Sequence, residues 1–302
     1  MENRSLLTLT LGGLSIGTTE FVMMGLLPDV AHEFNITIPQ SGHFIAAYAL
    51  GVVIGAPLLA ALGSKFPPKK VLIALMSIFI LFNGLTALST GHNMMVFTRL
   101  MSGLPHGAFF GVGSVVAARL ASKGKEALSI SIMFAGLTIA NIFMVPLGTY
   151  IGEHYTWRYA FALIAFFGLL TLISIAIWLP ALPVKRQGNL RTELGFFKQP
   201  IAWLMILITA IGTGGLFAWI SYISPMMTEV TRFSKDTIPY ILIIAGLGMF
   251  AGNFAGAKLA DRMPPAYALL IALFGVGFCL WLDYAVASNQ LLTLIATFLT
   301  GA

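Results

Sequence analysis

Two stretches of this chain carry nearly the same seven-residue sequence: Leu62-Gly-Ser-Lys-Phe-Pro-Pro68 and Leu259-Ala-Asp-Arg-Met-Pro-Pro265. The second stretch begins 197 positions after the first, and each lies between two long apolar segments. With the same shift, residues 50–68 align with residues 247–265 without a gap. The chain therefore contains an internal repeat, and each copy holds two apolar segments joined by a short basic turn that contains two prolines.

The composition of the chain excludes a water-soluble domain. Of its 302 residues, 58% are hydrophobic and only 9% are charged, whereas soluble domains carry about 25% charged residues. A helix needs about 20 apolar residues to cross a hydrocarbon core of about 30 Å. We therefore expect an all-α integral membrane protein with nine spans and an incomplete tenth. The predicted spans are 6–27, 41–63, 71–90, 94–118, 128–151, 159–180, 201–224, 237–257, 266–286 and a segment from 290.

The distribution of basic residues predicts which side of the membrane each loop faces. The first apolar stretch is longer than the core of a signal peptide, which has about 7–15 residues, so we expect it to remain as a helix. With the N-terminus inside, 13 of the 17 Lys and Arg residues fall on the cytoplasmic side, as the positive-inside rule requires. The net charge of +6 therefore indicates membrane topology and no nucleic-acid partner. The single cysteine, Cys279, lies in a span, which excludes an intramolecular disulfide.

The repeat predicts the domain organisation. Both copies start on the same side, so we expect a parallel pair of six-helix bundles, an architecture of transporters with a substrate site between the halves. We predict an N-terminal six-helix half at 1–180, a cytoplasmic linker at 181–200 and an incomplete C-terminal half at 201–302. The second half is expected to hold helices 7 to 9 and part of helix 10, because 13 residues reach only about 20 Å as a helix.

Four motifs carry a resemblance to a known family. The run Gly256-Ala-Lys-Leu-Ala-Asp-Arg262 resembles motif A of the major facilitator superfamily, and Glu20-Phe21 resembles its first-helix signature. The run Arg99-Leu-Met-Ser-Gly-Leu-Pro-His-Gly-Ala-Phe-Phe-Gly-Val-Gly-Ser114 resembles the fourth-helix motif of its drug:proton antiporter branch. Pro146-Leu-Gly148 resembles the fifth-helix antiporter motif. Within this branch, the chain resembles the arabinose efflux permease group. The resemblance implies proton-coupled efflux of a sugar such as arabinose, or of a drug-like compound, across the inner membrane by alternating access.

Three ionisable residues inside the spans are candidates for a proton pathway, because a charge in the bilayer is costly and usually functional. Glu20 and Arg99 lie at similar estimated depths, about 10 Å from the outer ends of their helices. We hypothesise that they pair in at least one conformation, and His106 follows Arg99 by two helical turns on the same face. A carboxylate that binds a proton and a nearby cation suits proton-coupled exchange. The alternative is a static buried pair that holds the first and fourth helices together.

Further residues are candidates for the substrate pathway and the gate. Asn141 is an in-span polar residue, while Trp219 and Tyr222 are aromatics that stack on a substrate or anchor the helix at the membrane surface. We place the gate at the inner helix ends, where charges interact with helix dipoles or with partner charges. The predicted gating residues are Lys65, Asp261, Arg262, Pro146 and Gly148.

Other functional classes fit the sequence less well. His32-Glu33 lacks the second histidine of a zinc motif, and neither a Gly-x-Ser-x-Gly elbow nor a Walker loop is present, so we expect no enzyme. We expect no cofactor and no metal. A channel and a proton-coupled uptake symporter remain alternatives. The expected partners are a small-molecule solute, protons and the lipid bilayer, and we expect a monomer with its N-terminus in the cytoplasm.

Overall fold

The computed structural model describes residues 2–184, 195 and 198–302, without the side chains of residues 2, 3, 254, 257, 258, 260, 261, 265 and 266. The described residues form helices joined by short turns. The helices of the first part are α1 (Glu2–Glu33), α2 (Ile38–Gly63), α3 (Pro68–Ala87), α4 (His92–Leu120), α5 (Glu126–Ile139), α6 (Val145–His154) and α7 (Trp157–Trp178). Those of the second part are α8 (Pro200–Ser221), α9 (Ile238–Arg262), α10 (Pro265–Val286) and α11 (Gln290–Gly301).

The lengths and composition of these helices confirm the predicted fold class. In the described part of the chain, nine helical segments are long and apolar enough to cross a membrane, and α5 and α6 count as one of them. The tenth, α11, is shorter, with 12 residues. The protein is an all-α, multi-pass membrane protein.

The repeated seven-residue sequence forms the same turn twice. Pro67 precedes α3 with φ −55° and ψ 133°, and Pro264 precedes α10 with φ −53° and ψ 135°. In each copy the next residue is also proline and is the first residue of the helix, where its missing N–H would have no partner in any case. The two prolines therefore end one span and start the next with the same backbone geometry.

The fifth span differs from the single helix that its hydropathy predicts. A π-helical turn, Ala140–Met144, separates α5 from α6. Pro146 explains part of the interruption, because it has no N–H to donate to the carbonyl of residue 142. π turns inside α-helices occur frequently at functional sites, and this one contains Asn141.

The structure divides into two units, residues 1–187 and 188–302. In the first unit α2 packs along α4, α3 along α7, and α1 along α5. The approach of α2 to α4 requires glycine: a Cβ at Gly51 would lie 2.1 Å from the Leu100 carbonyl oxygen, and one at Gly103 would lie 2.2 Å from that of Tyr48. Small residues at such crossings let the backbones of membrane helices come close together.

In the second unit α9 packs on α11, and α10 contacts both α11 and α8. Between α8 and α9 the chain forms a helical turn at Ile223–Pro225, a π turn at Met226–Val230 and a 3₁₀ turn at Lys235–Thr237. Most of the predicted linker, 181–200, lies outside the described residues. The predicted domain boundaries therefore stay predictions.

Candidate functional site

Arg99 lies at the centre of a polar network inside the first unit. Its side chain is fully buried on α4, and its Nη1 donates to the hydroxyl of Thr19 on α1 at 3.0 Å. The Thr19 hydroxyl donates to Oδ1 of Asn83 on α3 at 2.5 Å, and the Asn83 amide donates to the carbonyl of Phe79. Nε and Nη2 of Arg99 are buried with no hydrogen-bond partner among the described residues. The network therefore ties three helices together and leaves two guanidinium nitrogens available.

Tyr48 connects Arg99 to His106. The guanidinium carbon of Arg99 lies 4.4 Å from the centroid of the Tyr48 ring and 5.6 Å from that of Phe161. The Tyr48 hydroxyl forms a 3.0 Å hydrogen bond with Nδ1 of His106, two turns along α4 from Arg99. Sequence reasoning missed Tyr48, although a signal was present: a residue with a phenolic hydroxyl in the apolar second span needs a buried partner.

Glu20 is the neighbour of Thr19 on α1 and is half-buried. Its charge interacts electrostatically with that of Arg99. Between the described side chains of Glu20 and Arg99 there is no direct ion pair, since Arg99 bonds to Thr19 in this conformation. The structure thus brings Glu20, Arg99 and His106 into one cluster, and the direct pairing of Glu20 with Arg99 stays a prediction.

The other predicted pathway residues lie elsewhere in the two units. Asn141 is half-buried in the π turn of the fifth span. Trp219, near the end of α8, is 8% exposed, and its indole N–H is buried with no partner among the described residues. Tyr222 follows directly after α8 and is 38% exposed. Trp219 is therefore the better candidate for donating a hydrogen bond to a bound molecule.

The predicted gating residues show two kinds of environment. Pro146 and Gly148 are buried in α6, where a Cβ at Gly148 would lie 2.6 Å from a methyl of Val22 on α1. Lys65 is exposed in the turn before α3, and Arg262 is exposed at the end of α9. The side chain of Asp261 lies outside the described residues. A gating role stays a prediction for all five.

Sequence reasoning also missed contacts at both ends of the first unit. Lys69 donates to the carbonyls of Ala176 and Leu179, each at 2.7 Å, and so caps the C-terminus of α7. At the opposite end of the unit, Arg158 forms an ion pair with Glu33 and donates to the Ser89 carbonyl at 2.8 Å. These contacts join helix ends that are far apart in sequence, so spacing alone did not predict them.

The cluster suits proton movement better than covalent chemistry. It combines a carboxyl, a fully buried guanidinium, a phenol and an imidazole, all within membrane-spanning helices. Among the described residues, no group of three or more His, Cys, Asp or Glu side chains is placed to hold a metal ion. A multi-pass helical bundle with an internal repeat and ionisable groups inside its spans is typical of secondary transporters.

Comparisons with known proteins give the family. The model of the Major Facilitator Superfamily matches residues 9–302. The chain is 38% identical over 281 residues to the protein AraJ of Escherichia coli (strain K12), an alignment that covers 91% of this chain and 71% of AraJ. It is 40% identical over 260 residues to the inner membrane transport protein YdhP of the same strain, covering 86% of this chain and 67% of YdhP. The chain belongs to the major facilitator superfamily.

The fold agrees with this assignment. The crystal structure of a D-xylose-proton symporter matches with a TM-score of 0.77 at 17% sequence identity, and the match covers 98% of this chain and 78% of the symporter. At this level of identity the comparison shows the shared fold alone.

Proposed function

We propose that the protein exports a small solute across the plasma membrane in exchange for protons. The solute class that we propose is a sugar, such as arabinose, or a drug-like compound. The observation that carries the proposal is that the fully buried Arg99 and the half-buried Glu20 belong to one cluster. Two nitrogens of Arg99 have no hydrogen-bond partner among the described residues. The antiporter-like runs at Arg99–Ser114 and Pro146–Gly148 support the direction of transport.

Charge balance explains how Glu20 and Arg99 would couple protons to movement. With Glu20 ionised, the cluster has no net charge, and the free N–H groups of Arg99 are available to its carboxylate. When Glu20 binds a proton, Arg99 becomes an uncompensated charge, which costs about 2.5–3.5 kcal/mol at the centre of a helix on insertion scales. A conformation that gives Arg99 better solvation is then favoured. Proton binding therefore changes the relative stability of two conformations, which is what alternating access requires.

Tyr48 on α2 and His106 on α4 extend the cluster. The ring of Tyr48 stabilises the guanidinium through a cation–π contact, and its hydroxyl reaches His106. We assign Tyr48 the role of positioning Arg99, and His106 that of a second proton acceptor. In the second unit, the free indole N–H of Trp219 is our candidate for contacting the solute.

Transport into inside-out vesicles tests the proposal. The vesicles are energised with an acidic interior, and uptake of arabinose, other sugars and cationic drugs is measured with and without the pH gradient. We expect saturable, gradient-dependent accumulation of one compound. The variant Glu20→Gln should lose gradient-driven accumulation but keep exchange of labelled for unlabelled solute. The matched control is Glu229→Gln, which removes an exposed carboxylate and should transport normally.

Three outcomes would contradict this proposal. Accumulation by Glu20→Gln with an unchanged pH dependence would show that Glu20 is not the proton carrier. Accumulation only when the gradient is reversed would favour uptake by symport, and flux that does not saturate would favour a channel.

A further inference from the structure

A second buried acid lies in the other unit. Asp283 is on α10, three residues before its end at Val286. For a charged residue so close to the outer end of a predicted span, we expect a place at the membrane interface. The structure instead buries it: the residue is 3% exposed, and Oδ2 accepts a hydrogen bond from the Thr300 hydroxyl on α11. Oδ1 is buried and has no hydrogen-bond partner among the described residues. A carboxyl in this position needs a ligand for its second oxygen.

The face of α11 that meets Asp283 is lined with hydroxyl groups. Thr293, Thr297 and Thr300 follow the i, i+4, i+7 spacing of a single helix face, and all three are at most 3% exposed. Thr293 donates to the carbonyls of Val286 and Asn289, and Thr300 donates to Asp283. The hydroxyl of Thr297, between them, is fully buried without a partner in the described part of the chain. Two unsatisfied oxygens, one carboxylate and one hydroxyl, thus occur on facing helices.

The internal repeat makes Thr297 the sequence equivalent of Arg99. A Cβ at Gly51 would lie 2.1 Å from the carbonyl oxygen of Leu100, and a Cβ at Gly248 would lie 2.2 Å from that of Phe298. The two helix crossings are therefore equivalent, with Phe298 198 positions after Leu100. Thr297 is equally far from Arg99. The position that carries a buried cation in the first unit carries a hydroxyl in the second, one helical turn from the Thr300 that bonds to the buried acid.

Asp283 has no basic neighbour to neutralise it among the described residues of the packed helices. Neither α8 nor α11 carries a titratable residue. On α9, Tyr240 lies near the start with its side chain 63% exposed, while Lys258, Asp261 and Arg262 lie in the last turns, next to the start of α10. On α10 itself, Cys279 lies one turn before Asp283, while Tyr267 and Tyr284 are 64% and 83% exposed. Arg232 and Lys235, in the segment before α9, are exposed, so no described basic side chain of this unit is buried with Asp283.

We propose that Asp283, Thr297 and Thr300 form a binding site for a monovalent cation, either a proton or Na⁺. A carboxylate oxygen binds either cation, and hydroxyl oxygens are also ligands for Na⁺, so either cation would satisfy Oδ1. The site extends the proposed function, because it supplies a second coupling ion in the unit that lacks Arg99. Binding itself does not depend on Glu20.

Thermal unfolding of the purified protein tests this site without any transport measurement. In one arm Na⁺ replaces choline at constant pH. In the other arm the pH is lowered at constant Na⁺. A cation that binds the folded state shifts the unfolding equilibrium about 100-fold at 100 times its dissociation constant, so the unfolding midpoint should rise in one arm. The shift should be lost in Asp283→Asn, whose amide oxygen still accepts from Thr300. It should remain in Asp236→Asn, which removes an exposed acid, and in Glu20→Gln.

A second variant keeps the test decisive if Asp283→Asn does not fold. Thr297→Val retains the carboxylate and removes one proposed ligand, so it should need several-fold more Na⁺, or a lower pH, for the same shift. The proposal is overturned if the wild-type protein shows no shift in either arm, or if Asp283→Asn and Thr297→Val shift as the wild type does. Loss of the shift in Glu20→Gln as well would assign it to the first cluster instead. Normal cation binding without gradient-driven transport would contradict the proposed function alone.

Discussion

The guanidinium carbon of Arg99 lies 4.4 Å from the centroid of the Tyr48 ring. The hydroxyl at the other end of this ring bonds to His106 at 3.0 Å. One side chain therefore makes a cation–π contact with its face and a hydrogen bond with its tip. Because the two contacts use different atoms, substitutions can separate them.

The first prediction uses this separation. Tyr48→Phe removes the hydrogen bond to His106 and keeps the ring under Arg99, so we expect a loss of about 0.5–1.5 kcal/mol in unfolding free energy. Tyr48→Leu also removes the cation–π contact, and we expect its loss of unfolding free energy to exceed that of Tyr48→Phe by about 2 kcal/mol. Thermal or denaturant unfolding in detergent measures both. Equal stability of the two variants would show that the ring contributes nothing to holding Arg99.

The second prediction concerns the hydroxyl that accepts from Arg99. Thr19→Val removes this acceptor and leaves another guanidinium nitrogen buried without a partner, so unfolding free energy should fall by about 1–3 kcal/mol. Thr8→Val is the matched control on the same helix, because the Thr8 hydroxyl bonds only to the carbonyl of Arg4 in its own helix. The control should change stability by less than half as much. A larger loss in the control would contradict the role of Thr19.

The third prediction tests the close crossing of α2 and α4. Gly103→Ala puts a methyl about where the Tyr48 carbonyl oxygen lies, so the helices must separate, and we expect a loss of about 1–3 kcal/mol. Gly111→Ala, on the same helix, meets no atom within 4 Å. It should be neutral or stabilise by about 0.5–1 kcal/mol, because alanine favours the helix. Similar effects of the two substitutions on thermal stability would disprove a constrained crossing.

The fourth prediction concerns orientation. The basic-residue distribution places Lys125 in the cytoplasm and Tyr155 outside. Tyr155 is 73% exposed, in the turn between α6 and α7, so a cysteine there is accessible. In a Cys279→Ala background, an impermeant thiol reagent should label Tyr155→Cys in intact cells and label Lys125→Cys only after lysis. The reverse pattern would show that the N-terminus is outside.

The fifth prediction tests whether Glu20 and Arg99 depend on each other. Arg99→Ala leaves the Glu20 carboxylate without its nearby cation, so it should be unstable. Adding Glu20→Gln removes that lone charge and should recover part of the lost stability. A double-mutant cycle, measured by thermal unfolding, gives the interaction free energy between Glu20 and Arg99 directly. Additive losses would mean that the two residues act independently.

Several features were predictable from the chain alone because they depend on local composition. The length of each apolar segment determines whether it can span a bilayer, and the nine long apolar helices in the described part of the chain were all predicted. The repeated Pro-Pro turn depends on the backbone of proline itself, and both copies show the same angles. The rarity of charges in the spans was enough to select Glu20, Arg99 and His106 as one group of candidates.

Tertiary structure alone decided which side chains meet. Within a membrane, helices are apolar on nearly all faces, so hydrophobic periodicity does not show how a helix is rotated or which neighbour it packs against. Tyr48 and Thr19 therefore gave no strong signal until α1, α2 and α4 were packed together. Asp283 looked like a surface residue because it is close to a helix end, yet α11 covers it. Span length and loop charge are properties of a single segment, whereas burial and hydrogen bonding are properties of a pair of helices, and only the packed structure contains that information.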